Sequence, residues 1–274
     1  MRWILWLHLC GGTYKVIDHA IQIESTDEVS ASNQTCARSE MEQKVSARCA
    51  ETAIKSETQK MMLTYIDVGL HKDAREMEIM LHLCDELGIN MIAYGYEAHP
   101  AYCQRLQHLY RNHHNINIIN AAVCDKEGVV PLFLSPASNG EGNSIYASKN
   151  NVISRSIDVP AVRMSDELQR IDIGDFVILR CNIEGAELQM MSDLITTGMH
   201  KHIDVWCGAS SDIPKVEEIR NEMRRYQQML DDAGIYFQLF HATHLRAEQD
   251  AMVKWMRQLL INTSSNHTAH QGDF

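Results

Sequence analysis

Phe176-Val-Ile-Leu-Arg-Cys-Asn-Ile-Glu-Gly-Ala-Glu187 decides the fold, because an apolar run ends abruptly there in Asn182, Glu184 and Glu187 around a glycine. Open α/β sheets bind ligands in the crevice beyond the carboxyl ends of their strands, so a buried strand that delivers acids at its end marks a site. Leu63-Thr-Tyr-Ile-Asp-Val-Gly69 has the same design, and Met91-Ile-Ala-Tyr-Gly-Tyr-Glu97 repeats it. Three strand-like runs, each ending in a polar or acidic residue, point to one shared site and to an enzyme.

The chain between these runs predicts how they are assembled. After strand 63–68, Met77, Met80, Leu81, Cys84 and Leu87 recur at helical spacing and Gly88 supplies the stop. Strand 91–96 leads to a helix over 100–112 entered through Pro100, and strand 116–123 follows. Residues 128–163 break the rhythm. Strands at 129–134 and 157–162 flank the polar stretch 135–151, expected as an inserted hairpin or a loop over the site. A short helix over 164–171 precedes strand 176–181, then come helix 186–197 and strand 202–207. Val216, Ile219, Met223, Tyr226 and Leu230 trace one helix face, and strand 235–240 and a helix over 247–260 close the domain. Strands alternating with helices in this way predict βαβ units and a parallel sheet, an α/β fold.

The domain is therefore expected over 62–261. A polar extension over 1–61, disordered or loosely helical, precedes it, and a frayed tail over 262–274 follows. Met61-Met62 stands directly before the first core strand. The native product is accordingly expected to start there, with the preceding residues an upstream extension.

Bulk properties narrow the function classes. Acidic residues outnumber basic ones by 36 to 25, and the net charge of -11 gives no general attraction for nucleic acid. Eight cysteines form no C-x-x-C pair, which excludes a zinc ribbon or a dithiol redox motif and fits buried thiols in a reducing compartment. The apolar run Met1–Cys10 is shorter than the ~20 residues a spanning helix needs. A cytoplasmic protein without membrane or nucleic-acid partners is expected, and no ligand cluster for a metal stands out.

The site residues each carry an alternative. Gly69 at a strand-to-helix turn lets a ligand approach the backbone, or simply makes the turn; no G-x-G-x-x-G follows it, which weakens a nicotinamide reading. Glu97 is placed for a ribose diol, and is otherwise a solvated surface acid. Asp125 contacts a base or starts the turn that Gly128 completes. Glu187 joins Asn182 and Glu184 in the site, or meets the positive end of the helix beginning near Gly185.

Together these segments resemble the FkbM-type methyltransferases, a branch of the class I S-adenosylmethionine (SAM)-dependent enzymes. The resemblance runs from about Tyr65 to Ser211. Tyr65-Ile-Asp-Val-Gly69 stands at the family's first SAM motif, and Tyr94-Gly-Tyr-Glu-Ala-His-Pro100 at its aromatic-Glu-Pro-x-Pro segment. Asn120-Ala-Ala-Val-Cys-Asp-Lys-Glu-Gly128 and Val162-Arg-Met-Ser-Asp-Glu-Leu168 follow in order, and Leu179-Arg-Cys-Asn-Ile-Glu-Gly-Ala-Glu187 matches Lys-x-Asp-x-Glu-Gly-x-Glu.

The resemblance implies a Rossmann-like, mostly parallel seven-stranded sheet with a reversed last strand and helices on both faces. It implies SAM as cofactor, with Asp67 and Gly69 at its methionine end, Glu97 at the ribose hydroxyls and Asp125 or its neighbours at the adenine. Asn182 and Glu184 would face sulfonium and acceptor, a hydroxyl on a sugar, glycan or natural product, with Glu184 or Glu187 as base. Three positions depart from the pattern: Lys72 or Asp73 stands where a second glycine is usual, Asn182 replaces an aspartate, and Arg180 replaces a lysine. These departures motivate an alternative, a catalytically inactive SAM-fold protein that binds or regulates.

Overall fold

The structure, a computed structural model, describes residues 61–136, 142–240 and 246–265 in full, and the backbone alone of 5–9, 12–17, 20–23 and 266–270. Two compact units divide the chain, Met1–Gln59 and Lys60–Phe274. In the first, strands β1 (Leu5–Leu9), β2 (Gly12–Ile17) and β3 (Ala20–Ile23) form an antiparallel meander. This replaces part of the disordered or loosely helical segment expected over 1–61; its remainder lies outside the described residues.

The second unit is built on six strands: β4 (Met62–Val68), β5 (Asn90–Tyr96), β6 (Ile116–Ile119), β10 (Phe176–Cys181), β11 (Val205–Gly208) and β12 (Phe237–Leu239). Their order is β12-β11-β10-β4-β5-β6 and every pairing is parallel. The α/β, Rossmann-like expectation holds. Among the described residues the count is six strands rather than seven, and no reversed strand joins this sheet. The chain after β12 and Phe240 instead enters helix α6 (Arg246–His270). That helix carries through most of the tail expected to fray from residue 262.

Strand alternation divides the core between the two faces of the sheet. Leu63, Tyr65 and Ile178 point to one face, against Met77, Met80, Leu83 and Cys84 of α1 (Arg75–Leu87), Leu106 of α2 (Pro100–Leu109) and Met252, Met256 and Leu260 of α6. Ile66, Val68, Val177 and Leu179 point to the other. They meet Met164 and Leu168 of α3 (Met164–Arg170), Met190, Met191 and Leu194 of α4 (Glu187–Thr196), and Tyr226 and Leu230 of α5 (Met223–Asp232).

Two local expectations shift. The run 116–123 splits into β6 and β7 (Ala122–Cys124) because the Asn120 amide donates to the carbonyls of Glu97 (2.9 Å) and Ala98 (3.0 Å), which turns the chain out of the sheet. β7 pairs instead with β9 (Ser156–Arg163), which pairs with β8 (Gly128–Phe133) in a small side sheet, the inserted hairpin. Helix α5 begins at Met223 rather than 216. Val216 forms a bridge with Lys149 of the insert, and a 3-10 turn over Ile213–Lys215 precedes it.

Candidate active site

Central neighbours β4 and β10 set the site. They pair in register, Arg180 opposite Asp67 and Cys181 opposite Val68, so Gly69 and Asn182 leave the sheet side by side. Strand order reverses here, with β5 and β6 on one side and β11 and β12 on the other, which is where open α/β sheets form their crevice. The Asn182 N–H donates to the Val68 carbonyl at 2.9 Å. Gly69 has φ +90°, and a Cβ there would fall 2.1 Å from the Asn182 carbonyl oxygen, so the close approach requires glycine. Beyond these chain ends opens a cavity of about 730 Å³, within the usual range of small-molecule sites.

One end of the cavity is the turn Gly69–Ala74. The N–H groups of Gly69 and Leu70 donate to the Tyr96 carbonyl at 2.9 and 3.2 Å. Glu97 accepts from the His71 N–H at 2.8 Å on one oxygen and from the His99 N–H at 2.7 Å on the other. Burial pushes its carboxyl up, and the two N–H groups oppose that. His71 (φ 59°) and Ala74 (φ 41°) occupy the left-handed region that favours glycine, at about 1 kcal/mol or more each. The special backbone positions are thus 71 and 74, not the Lys72 and Asp73 that the sequence pattern singles out.

Asp67 lies beneath this end rather than on it. Its side chain is 0% exposed, and Arg180 donates to it at 3.0 Å. Arg180 also donates to the Gly69 carbonyl at 2.9 Å and to Glu76 at 3.1 Å. Burial pushes Asp67 up to about 6, with the guanidinium opposing. Asp67 is therefore an anchor for Arg180, while Arg180, Glu76 and Gly69 line the cavity.

The other end is built on Asn182, Ile183 and Glu184. Glu184, with φ 60°, pairs with the ammonium of Lys149, whose side chain is 0% exposed. Lys149 also reaches Asp212 at 3.1 Å and the Gly142 carbonyl at 3.3 Å, so all three of its protons are placed. Lys215 reaches the same Asp212 oxygen at 3.0 Å. Burial and Asp212 push the Glu184 carboxyl up against the pull of Lys149. Burial would raise Asp212 too, but its two lysines outweigh it and hold it low. Two carboxylates whose environments separate them in this way can divide the work of proton acceptor and fixed charge.

Two further expected site residues, besides Asp67, fall outside the cavity. Asp125 is exposed and borders a separate hollow of about 280 Å³ with Arg163, Gln189 and Arg225. The chain turns outward after β7, so the cavity is faced by Ala121, Ala122 and Val123 instead. Glu187 is fully buried, accepting from the Ile183 N–H (2.7 Å) and the Gly185 N–H (2.8 Å). Burial pushes it up to about 7. It ties the loop before α4 and does not face the cavity, the helix-end alternative rather than the base. Asp212 was missed, although Val205-Trp-Cys-Gly-Ala-Ser-Ser-Asp212 is a fourth apolar run ending in an acid. Among the described residues no three His, Cys, Asp or Glu side chains group as a metal site. No helix there is long and apolar enough to cross a membrane.

Compared with known families, the chain matches the methyltransferase FkbM domain over residues 67–232, more than half of its length. No curated protein and no solved structure matches it.

Proposed function

The chain belongs to the FkbM-type methyltransferases, and on that premise we propose that it transfers a methyl group from SAM to a hydroxyl oxygen of a sugar or other small-molecule acceptor. The observation that carries this reading is the single cavity with two chemically different ends, the Gly69–Ala74 turn with Glu97 and the Glu184–Lys149–Asp212 cluster. The residues fit such a cofactor. Glu97 retains acceptor capacity for a ribose diol beside its two backbone bonds. Ala121, Ala122, Val123, Leu132 and Ile145 offer an apolar wall for a base. Bound there, SAM would supply an electrophilic methyl on its sulfonium.

The chain's own part is orientation and exclusion of water around an in-line displacement. Glu184 takes the proton of the attacking hydroxyl, a contribution of about 10²–10⁴-fold. Lys149 holds that carboxylate in place, and Asp212 stays ionised beside it. Asn182 accepts through its amide carbonyl but cannot serve as a base. The two carboxylates and two lysines at this end balance, which suits a neutral acceptor better than a charged one. The described cysteines are buried free thiols, which supports a cytoplasmic location.

Binding without transfer is the second reading, favoured by the neutral amide of Asn182 beside the strand ends. Calorimetric titration of the full chain with SAM and S-adenosylhomocysteine tests the first step, with Glu97→Ala as control. Micromolar binding lost in the variant is expected. No binding to a folded wild-type protein would refute the cofactor assignment, and binding without methylation of any hydroxylated acceptor would favour the second reading.

A further inference from the structure

The guanidinium of Arg180 touches the chain before, within and after the Gly69–Ala74 turn. It donates to Asp67 at the end of β4 (3.0 Å), to the Gly69 carbonyl (2.9 Å) and to Glu76 in the first turn of α1 (3.1 Å). Between these anchors, His71 and Ala74 hold left-handed conformations without being glycines. Strained backbone persists only where its surroundings over-determine it. Other holds on the turn come from the far side, through the Tyr96 carbonyl to Gly69 and Leu70 and through Glu97 to His71. Arg105 of α2 also pairs with Asp73 at 3.9 Å, and Arg180 adds an anchor on Glu76 of α1, beyond Ala74. A planar fork of donors can span three acceptors in fixed directions, which a lysine ammonium on a flexible stem does less well.

We propose that Arg180 is a positioning residue for the methionine end of the cofactor, clamping the Gly69–Ala74 turn in a shape that a glycine-rich turn would adopt unaided. This rests on the reading of that turn as part of the cofactor site. Arg180 acts through the turn and takes no part in the transfer. Its removal should weaken ligands that carry the amino-acid end and spare those that engage only the adenosine end.

The test compares S-adenosylhomocysteine with 5′-methylthioadenosine, which lacks the amino-acid portion, by calorimetry on the full chain. In Arg180→Lys, S-adenosylhomocysteine affinity should fall about tenfold while 5′-methylthioadenosine stays within about twofold. Adding Ala74→Gly to Arg180→Lys should restore most of the loss, because glycine adopts the left-handed conformation without help. Equal weakening of both ligands, no weakening of either, or no rescue by glycine would overturn the proposal. Should Arg180→Lys fail to fold, Glu76→Gln cuts one anchor and leaves the Arg180–Asp67 pair. The same split between ligands, about threefold, is then expected, and its absence would be equally decisive. A wild-type protein that binds neither ligand removes the cofactor reading itself, whereas binding without the split removes only the role of Arg180.

Discussion

Two buried cations brace one cavity, Arg180 in its wall and Lys149 behind Glu184 and Asp212, and each is held between two carboxylates. Arg180 projects from the central strand β10 and reaches Asp67 and Glu76. Lys149 projects from the insert after β8 and reaches Glu184 and Asp212. The first cluster joins residues of one βα unit and its neighbouring strand, and so fixes the shape of a turn. The second joins an insert to two loops that leave different strands, and so ties the insert to the reacting end. An arginine fork suits the first task because its directions are fixed. A lysine with three donors suits the second, because its flexible stem can meet three converging loops.

The comparison breaks most clearly at Glu184. If it accepts the acceptor's proton, Glu184→Gln should lower the methyl-transfer rate by about 10²–10⁴-fold, with cofactor affinity within about threefold of wild type. Steady-state kinetics beside calorimetry separates the two effects; an active Glu184→Gln would move the base elsewhere.

Lys149→Met should come next, at about 3 kcal/mol of lost stability by denaturant unfolding, since it leaves Glu184 without its cation and Asp212 with Lys215 alone. Lys149→Arg should recover part of it. A neutral result would mean that the insert is held by its backbone contacts, such as Asn150 N–H to the Lys215 carbonyl at 3.0 Å.

Glu187 sharpens the account through pH. Its folded value is raised from 4.5 to about 7, so the folded state binds the proton more tightly than the unfolded chain. The stability it contributes is full below about pH 4.5 and is lost as pH rises to about 7, a fall of at most about 3 kcal/mol. Unfolding measured across that window should show a shallower decline in Glu187→Gln than in wild type. An unchanged slope would assign the titration to another group, with Asp67, raised to about 6, the first to examine. The smallest effect belongs to Asp125→Ala, expected to leave cofactor affinity within about twofold because the residue faces away from the cavity.

Much of this was legible in the chain. Apolar runs ending in Asp67–Gly69, Glu97 and Asn182–Glu184 specify strands whose ends converge, since in a parallel sheet those ends lie on one edge. What periodicity could not resolve was which way each acid turns after the strand. Asp67 and Arg180 face each other within the sheet by register alone, a cross-strand fact absent from either local sequence. Glu187 is drawn inward by two backbone N–H groups, and Asp125 outward because Asn120 diverts the chain into the side sheet. The Lys149–Asp212 contact joins residues far apart in sequence through an insert with no periodic signal. The chain beyond Phe240 forms a long helix that packs on the sheet through Met252, Met256 and Leu260, and its backbone stays helical through the polar residues 262–270.

A crystal structure with S-adenosylhomocysteine tests the central claim most directly, that one cavity has a cofactor end at the Gly69–Ala74 turn and a reacting end at Glu184. The account predicts the ribose hydroxyls on Glu97, the adenine against Ala121–Val123, and the sulfur directed toward Asn182 and Glu184. A ligand seated elsewhere, or in this cavity with its sulfur turned away from Glu184, would contradict it.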